Sequence, residues 1–357
     1  MSGHRTAAVS LTVCSALLIA LQAALPARAD RTGGGPGGEV KGGSNGSVIT
    51  AETRVRTTVH GGGTGHSGHA STTGSPSPVD VAWKPPACWY EPAFSPKEIQ
   101  GIVKAWRAFG ASAPLVGGIG LAIGEAIEHR YKDGHPYKNY NLSRQGEGMF
   151  WASVINPHRE DDPEATSCDR QPFWVDKGRT PTEPMAASPE ILAQYAYDEL
   201  PVPGTEIRTA PRGGRSTVNL PTWVWLDKAR FKKISVTASL PGTGLAATTT
   251  AEPESLRIEP GTAAAEVTPA SGNCAFAKRG GGIGEPYARG KASKLPPCGV
   301  TYLRSPGPGP NATYALRATL TWKIRWSSTT GEGGTLPSGS FGTAQRVRVQ
   351  EIQSVNR

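Results

Sequence analysis

The chain has 357 residues, a formal net charge of +9, 45 Gly and 31 Pro, with 37% hydrophobic and 19% charged residues. Glycine and proline at that density, without a collagen-like period, exclude a fibrous or long-helix protein and point to a turn-rich, mainly β body. The length has room for two domains.

The first 29 residues read as an address. Arg5, the apolar stretch Ala7 to Leu25 and Ala27-Arg28-Ala29 before Asp30 supply the charged start, apolar centre and small-x-small cleavage site of a secretory signal peptide. Cleavage after Ala29 removes Arg5 and Arg28, lowers the net charge to +7 and gives a secreted, cell-surface-associated protein. Left uncleaved, this segment is the expected tie to a membrane. The apolar stretch Ala111 to Ile127 is broken by Pro114, glycines and Glu125, which fits a buried helix better than lipid.

Residues 30–80 form an expected disordered arm, rich in Gly, Ser and Thr, with 14 of the 45 Gly and three His. Its few apolar residues offer little burial to offset the entropy of ordering. His60, His66 and His69 read as part of a solvated spacer.

Residues 81–180 are expected to form a small α+β module. Cys88 to Tyr90, Met149 to Ile155 and Pro172 to Val175 read as three short strands. Between the first two lies a helical insertion. Ser95-Pro96-Lys97-Glu98 has the residues of a capping box, followed by Ile99, Ile102, Val103, Trp106 and Phe109 at helical spacing. A second helix is expected from about Leu115 to Tyr131. Residues 181–204 read as a Pro-rich joint with a helix opened by Ser188-Pro189-Glu190 and closed by Pro201 and Pro203.

Residues 205–357 read as all-β. Lys233 to Leu240 alternates, and so does Thr313 to Trp326, with Leu316, Leu320, Trp322, Ile324 and Trp326 on one side. Arg317, Thr319, Thr321, Lys323 and Arg325 fall on the other, so this is an antiparallel strand between core and water. Further strands are expected at Thr205 to Arg208, Thr222 to Leu226, Ala246 to Ala251, Leu256 to Glu259, Val300 to Arg304 and Arg346 to Ile352. That number of short strands fits a β-sandwich.

Four cysteines remain after the signal segment: Cys88, Cys168, Cys274 and Cys298. An even number in an exported chain reads as two disulfides, for which three pairings exist. Pairing within each half, Cys88 with Cys168 and Cys274 with Cys298, is the economical choice. A zinc site needs close ligand pairs, and the closest cysteines here are 24 residues apart.

Leu220-Pro221-Thr222-Trp223-Val224-Trp225-Leu226-Asp227, Cys298-Gly299-Val300-Thr301-Tyr302, Ala318-Thr319-Leu320-Thr321-Trp322 and Val349-Gln350-Glu351 resemble a family of secreted actinobacterial proteins without established function. Its members often carry the label "ATP/GTP-binding protein". The resemblance covers mainly Ser188 to the C-terminus and implies a degenerate immunoglobulin-like sandwich of the PKD type. Where that type has an aromatic-Asp-Phe-Gly-Asp-Gly signature, this chain has Leu256-Arg257-Ile258-Glu259-Pro260-Gly261, and Val300 stands where His precedes x-Tyr. The resulting fold expectation is mainly β: a C-terminal immunoglobulin-like (PKD-like) sandwich preceded by a small disulfide-stapled α+β module.

The nucleotide label finds no support in the residues. A P-loop requires G-x4-G-K-[ST], whereas Gly290-Lys291 is followed by Ala292 and preceded five residues back by Glu285. Gly118, Gly120 and Gly124 miss the dinucleotide spacing. Gly42-Gly43-Ser44-Asn45-Gly46 matches G-x-S-x-G but lies in the arm, away from any expected strand-to-helix turn. Glu125, Glu128 and His129 share a helix face without the ligand spacing of a zincin or di-iron site. Glu160-Asp161-Asp162-Pro163-Glu164 lacks the alternation of a calcium loop. No enzyme, cofactor or metal is therefore expected.

What remains is surface. Arg317, Lys323 and Arg325 on one strand face, with Arg346 and Arg348 near by in sequence, are the candidate binding residues for an anionic cell-wall polymer or another surface protein. Nucleic acid is not expected, because no recognition motif accompanies the charge. The expected function is that of an exported, non-enzymatic surface or matrix protein with a binding or structural role. The alternative is a secreted cell-wall hydrolase whose site is scattered along the sequence.

Overall fold

The structure, a computed structural model, describes residues 42–45, 48–61, 73–112, 117–227, 231–276, 283–291, 294–309 and 311–352. The expected signal peptide, His66 and His69 lie outside the described residues. The arm contributes β1 (Gly42–Asn45), β2 (Val48–Ala51), β3 (Arg56–Gly61), β4 (Thr73–Gly74) and β5 (Ser77–Pro78). There follow β6 (Cys88–Phe94), α1 (Pro96–Ser112), α2 (Gly117–Lys132), β7 (Gly148–Ile155), β8 (Phe173–Asp176) and α3 (Pro189–Asp198). After the joint come β9 (Val202–Pro203), β10 (Ile207–Ala210), β11 (Arg215–Thr217), β12 (Pro221–Leu226) and β13 (Ile234–Leu240). The chain continues through β14 (Leu245–Glu259), β15 (Ala265–Thr268), β16 (Asn273–Ala275), β17 (Gly299–Tyr302), β18 (Tyr314–Ser328) and β19 (Gly333–Gln350).

These strands make a mainly β fold of several sheets. The largest runs β11-β19-β18-β14-β13-β3, with β16 joined to β14 and β5 to β19. A second runs β1-β2-β7-β6 with β8 on β7, and a third runs β10-β12-β17-β15. Alternation explains the large sheet. Along β18, Leu316, Ala318, Leu320, Trp322 and Ile324 are buried while Arg317 and Arg325 are exposed, as period 2 requires. Helix α3 covers the inner face through Leu192, Ala193, Ala196 and Tyr197, and the Thr249 hydroxyl on β14 donates to the Ala193 carbonyl at 2.7 Å.

Local chemistry places the helices where the sequence expects them. The Ser95 hydroxyl accepts from the Glu98 N–H at 3.3 Å, and the Glu98 carboxylate accepts from the Ser95 N–H at 2.6 Å. That reciprocal pair is a capping box at the start of α1. Ser188 caps α3 by accepting from the Ile191 N–H at 3.2 Å. The α1–α2 hairpin then buries Ile99, Val103, Ile127 and Tyr131 against Phe94 and Phe150 of the second sheet. Cys88–Cys168 ties β6 to the loop before β8, and Cys274–Cys298 ties β16 to the start of β17.

Three expectations need correction. The arm is not disordered throughout: β2 lies parallel to β7, β3 antiparallel to β13, β4 on β9 and β5 on β19. All six residues of β3 are exposed, so main-chain pairing holds it without a hydrophobic signal. Second, the boundary near residue 180 does not separate two cores. One buried cluster reaches from Cys88 to Val349, because α3 meets β6 on one side and the large sheet on the other. Trp89 packs edge-on to Tyr195 at 5.5 Å, and Trp83 to Tyr197 at 5.0 Å. Third, Ala246 to Ala251 and Leu256 to Glu259 are one strand, β14, carried through a bulge at Pro253/Ser255.

Candidate functional site

The three expected binding residues do stand on the outer face of β18, but they do not form a bare cationic strip. Arg317 is opposite Glu259 on β14, Lys323 opposite Glu252 and Arg325 opposite Thr250. Glu259 lies 3.9 Å from Arg317 and 3.2 Å from Arg257, and Glu252 lies 3.3 Å from Lys233. Lys323 is half-buried. The acidic residues of β14 thus offset the charge along this side, a cancellation that only cross-strand register reveals.

The uncompensated charge lies on the other side of β18. Arg346 of β19 is opposite Ala315, and Arg348 is opposite Arg215 on β11, which runs parallel to β19. Val347 and Val349 are buried, so Arg346 and Arg348 point out; Ser216 is buried beside Val349, so Arg215 points out too. Arg215, Arg346, Arg348 and Arg317 therefore share one face of three adjacent strands. Strand spacing of about 4.8 Å and a two-residue repeat of about 6.8 Å bring these guanidinium stems close together. Among the described residues, Arg215, Arg346 and Arg348 have no acidic partner. Arg215 carries no sequence signal, because its neighbourhood with Arg348 exists only through long-range pairing.

Beside Arg348 lies an open depression of about 460 Å³. Its lining includes Ser305, Gly307, Gly309 and Ala312 from one stretch of the chain and Arg348 and Glu351 from another.

The other motifs resolve into structural contacts. Lys291 of the Gly290-Lys291 pair is bound to Glu285 and lies 5.5 Å above the Trp223 ring. Ser44 sits in the β1–β2 hairpin opposite Ile49, with no helix behind it. Glu128 bonds Lys132 at 2.8 Å and also pairs with Arg107, while His129 lies 3.2 Å from Asp133 and stacks on His135. In the acidic loop, hydrogen bonds from Arg159 and from the Glu164 N–H hold the Asp162 carboxyl well below the usual range. Among the described residues there is no group of three or more His, Cys, Asp or Glu that could hold a metal ion.

Two buried carboxyls escaped the sequence reading. Glu91, 0% exposed in the middle of β6, accepts from the Trp89 indole at 2.8 Å, the Thr53 hydroxyl at 3.0 Å and the Arg54 N–H. Burial pushes its pKa up and these donors pull it down, and together they fasten the arm between β2 and β3. Asp198, at the end of α3, is pushed up to about 6 by burial, against an Asn156 hydrogen bond at 3.2 Å that lowers it. Beside it, His158 Nε2 lies 2.9 Å from Glu199 Oε1. Since the folded pKa of Asp198 is raised, its contribution to stability is full below about pH 4 and is lost as pH rises through about 6. Asp198→Asn keeps an acceptor for Asn156 and removes the charge. It is expected to stabilise the fold by about 1–3 kcal/mol at pH 8 and to change little at pH 4. Urea unfolding at both pH values measures this, and an equal effect at both would refute the burial argument.

Comparison with protein-family models, curated proteins and solved structures finds no match to this chain. The functional reading therefore rests on the residues themselves.

Proposed function

We propose that the chain is an exported, non-enzymatic surface or matrix protein that binds an anionic cell-wall polymer through the arginine-bearing face of its large sheet. The observation that carries this reading is the gathering of Arg215, Arg346, Arg348 and Arg317 on β11, β19 and β18, with Glu259 beside Arg317. Guanidinium groups are weakly hydrated and present forked donors to anionic oxygens, so several on one flat face suit a polymer better than a single small ligand. Two disulfides support an extracellular setting. The buried alternation of β13, β14 and β18 supports reading the C-terminal half as an immunoglobulin-like sandwich of PKD type.

The test is retention on isolated anionic wall polymer. Changing Arg215, Arg346 and Arg348 together to Gln is expected to weaken retention more than the same change at Arg317, Lys323 and Arg325, which lie beside Glu252 and Glu259. Retention should also fall as salt is added, since exposed charges are screened within about 8 Å at physiological ionic strength. Retention that ignores salt and both triple changes would leave this face as a solvated surface.

A secreted hydrolase is the second reading, favoured by Asp198, a carboxyl that stays partly protonated near pH 6 beside His158. Release of soluble fragments from wall material, abolished by Asp198→Asn, would support it. No release by the unaltered protein would remove it, and equal release by both would remove Asp198 from its site.

A further inference from the structure

We propose that the depression beside Arg348 is a seat for a single phosphate group, which would make the polymer a phosphate ester; this deepens the polymer-binding reading and rests on it. The depression is also lined by Ser305, Gly307, Pro308 and Gly309 of the segment Ser305-Pro306-Gly307-Pro308-Gly309. Gly307 and Gly309 have φ of 112° and 128°, a backbone region that side chains rarely enter, and a Cβ at either position would meet nothing within 4 Å. No side chain at either position screens the backbone of this loop. Among the described residues, neither the Gly307 nor the Gly309 N–H has a hydrogen-bond acceptor.

Main-chain N–H groups without an acceptor, on a glycine-rich loop that lines the same depression as a guanidinium, are the elements of an anion site. The geometry favours a tetrahedral anion over a planar one. A phosphate can give two oxygens to the Arg348 fork and still direct others to diverging loop amides, whereas both oxygens of a carboxylate lie in one plane and are used up by the fork. Arg215 and Arg346, flanking Arg348 across and along the sheet, extend the positive field out of the depression, where the next charged unit of a chain would lie. Glu351 lines the same depression and opposes any anion there. It keeps the seat weak when occupied by one unit, so that firm attachment depends on several units binding along the face.

The experiment follows the Gly307 and Gly309 amide resonances of the isotope-labelled, disulfide-intact full chain during titration with inorganic phosphate, and separately with acetate. Phosphate should shift both resonances saturably, and acetate at equal ionic strength should not. Loss of one charge-assisted contact is expected to make Arg348→Gln weaken phosphate binding about tenfold. Glu351→Gln should strengthen it about twofold through relief of exposed repulsion. Lys104→Gln, on α1 and away from the large sheet, should leave it unchanged. Equal shifts with acetate, or equal losses in Arg348→Gln and Lys104→Gln, would overturn the seat. Wall retention is scored independently: salt-sensitive retention without phosphate shifts removes the seat and keeps the polymer reading, and phosphate shifts without retention do the reverse.

Discussion

Trp322→Ala is expected to destabilise the protein by about 3–5 kcal/mol, the range for truncating a large buried aromatic. Trp322 is 0% exposed on the inner face of β18, paired across the sheet with Gly339 and packed near Phe231, whose ring centroid is 6.5 Å away. Among the described residues its indole N–H has no hydrogen-bond partner, so the loss is one of packing and of the cavity left behind rather than of a hydrogen bond. The Arg→Gln changes on the outer face of the same sheet should alter binding without this penalty, because each removes a charge from solvent. Urea midpoints for the two kinds of variant separate the faces. An unchanged midpoint for Trp322→Ala would reverse the assignment of the faces and turn the indole into a surface platform.

The second large effect concerns the disulfides. Cys88–Cys168 closes a sequence separation of 80 residues and Cys274–Cys298 one of 24. Chain-entropy reasoning gives about 4–5 kcal/mol for the longer loop and about 3–4 kcal/mol for the shorter. Paired Cys→Ser variants should therefore lower the thermal midpoint in both cases, and further for Cys88 and Cys168. The longer link also joins β6, which carries Glu91, to the loop that leads into β8. An opposite ranking would show that loop entropy does not set the size of the effect.

How much of this was legible in the sequence depends on where each element gets its free energy. β18 was readable because burial on one face writes period 2 into fourteen residues, and the starts of α1 and α3 were readable because capping is local chemistry. β3 was not, since it buries no side chain and leaves no hydrophobic trace. The first part of β19 was also hidden: Gly333-Gly334 and Pro337-Ser338-Gly339 resemble a loop, yet a Cβ on Gly339 would come within 2.6 Å of Pro76 and 2.8 Å of the Tyr197 hydroxyl. There glycine is demanded by close approach rather than by a turn. The candidate site was half readable for the same reason. Alternation exposes Arg317 and Arg325, but Glu252, Glu259 and Arg215 join them only through strand register.

The placement of the arm sets the order in which the molecule can be completed. β5 docks on β19, where the Ser340 hydroxyl donates to the Ser77 carbonyl across 263 residues of sequence. β3 must likewise wait for β13, and β2 for β7. A chain emerging from its N-terminus therefore carries these early strands until β7, β13 and finally β19 arrive to pair with β2, β3 and β5. Such high contact order slows folding and keeps the nascent polypeptide from closing prematurely. Ser77–Pro78 thus acts as a clasp fastened last, and truncation before β19 leaves it with nothing to grip.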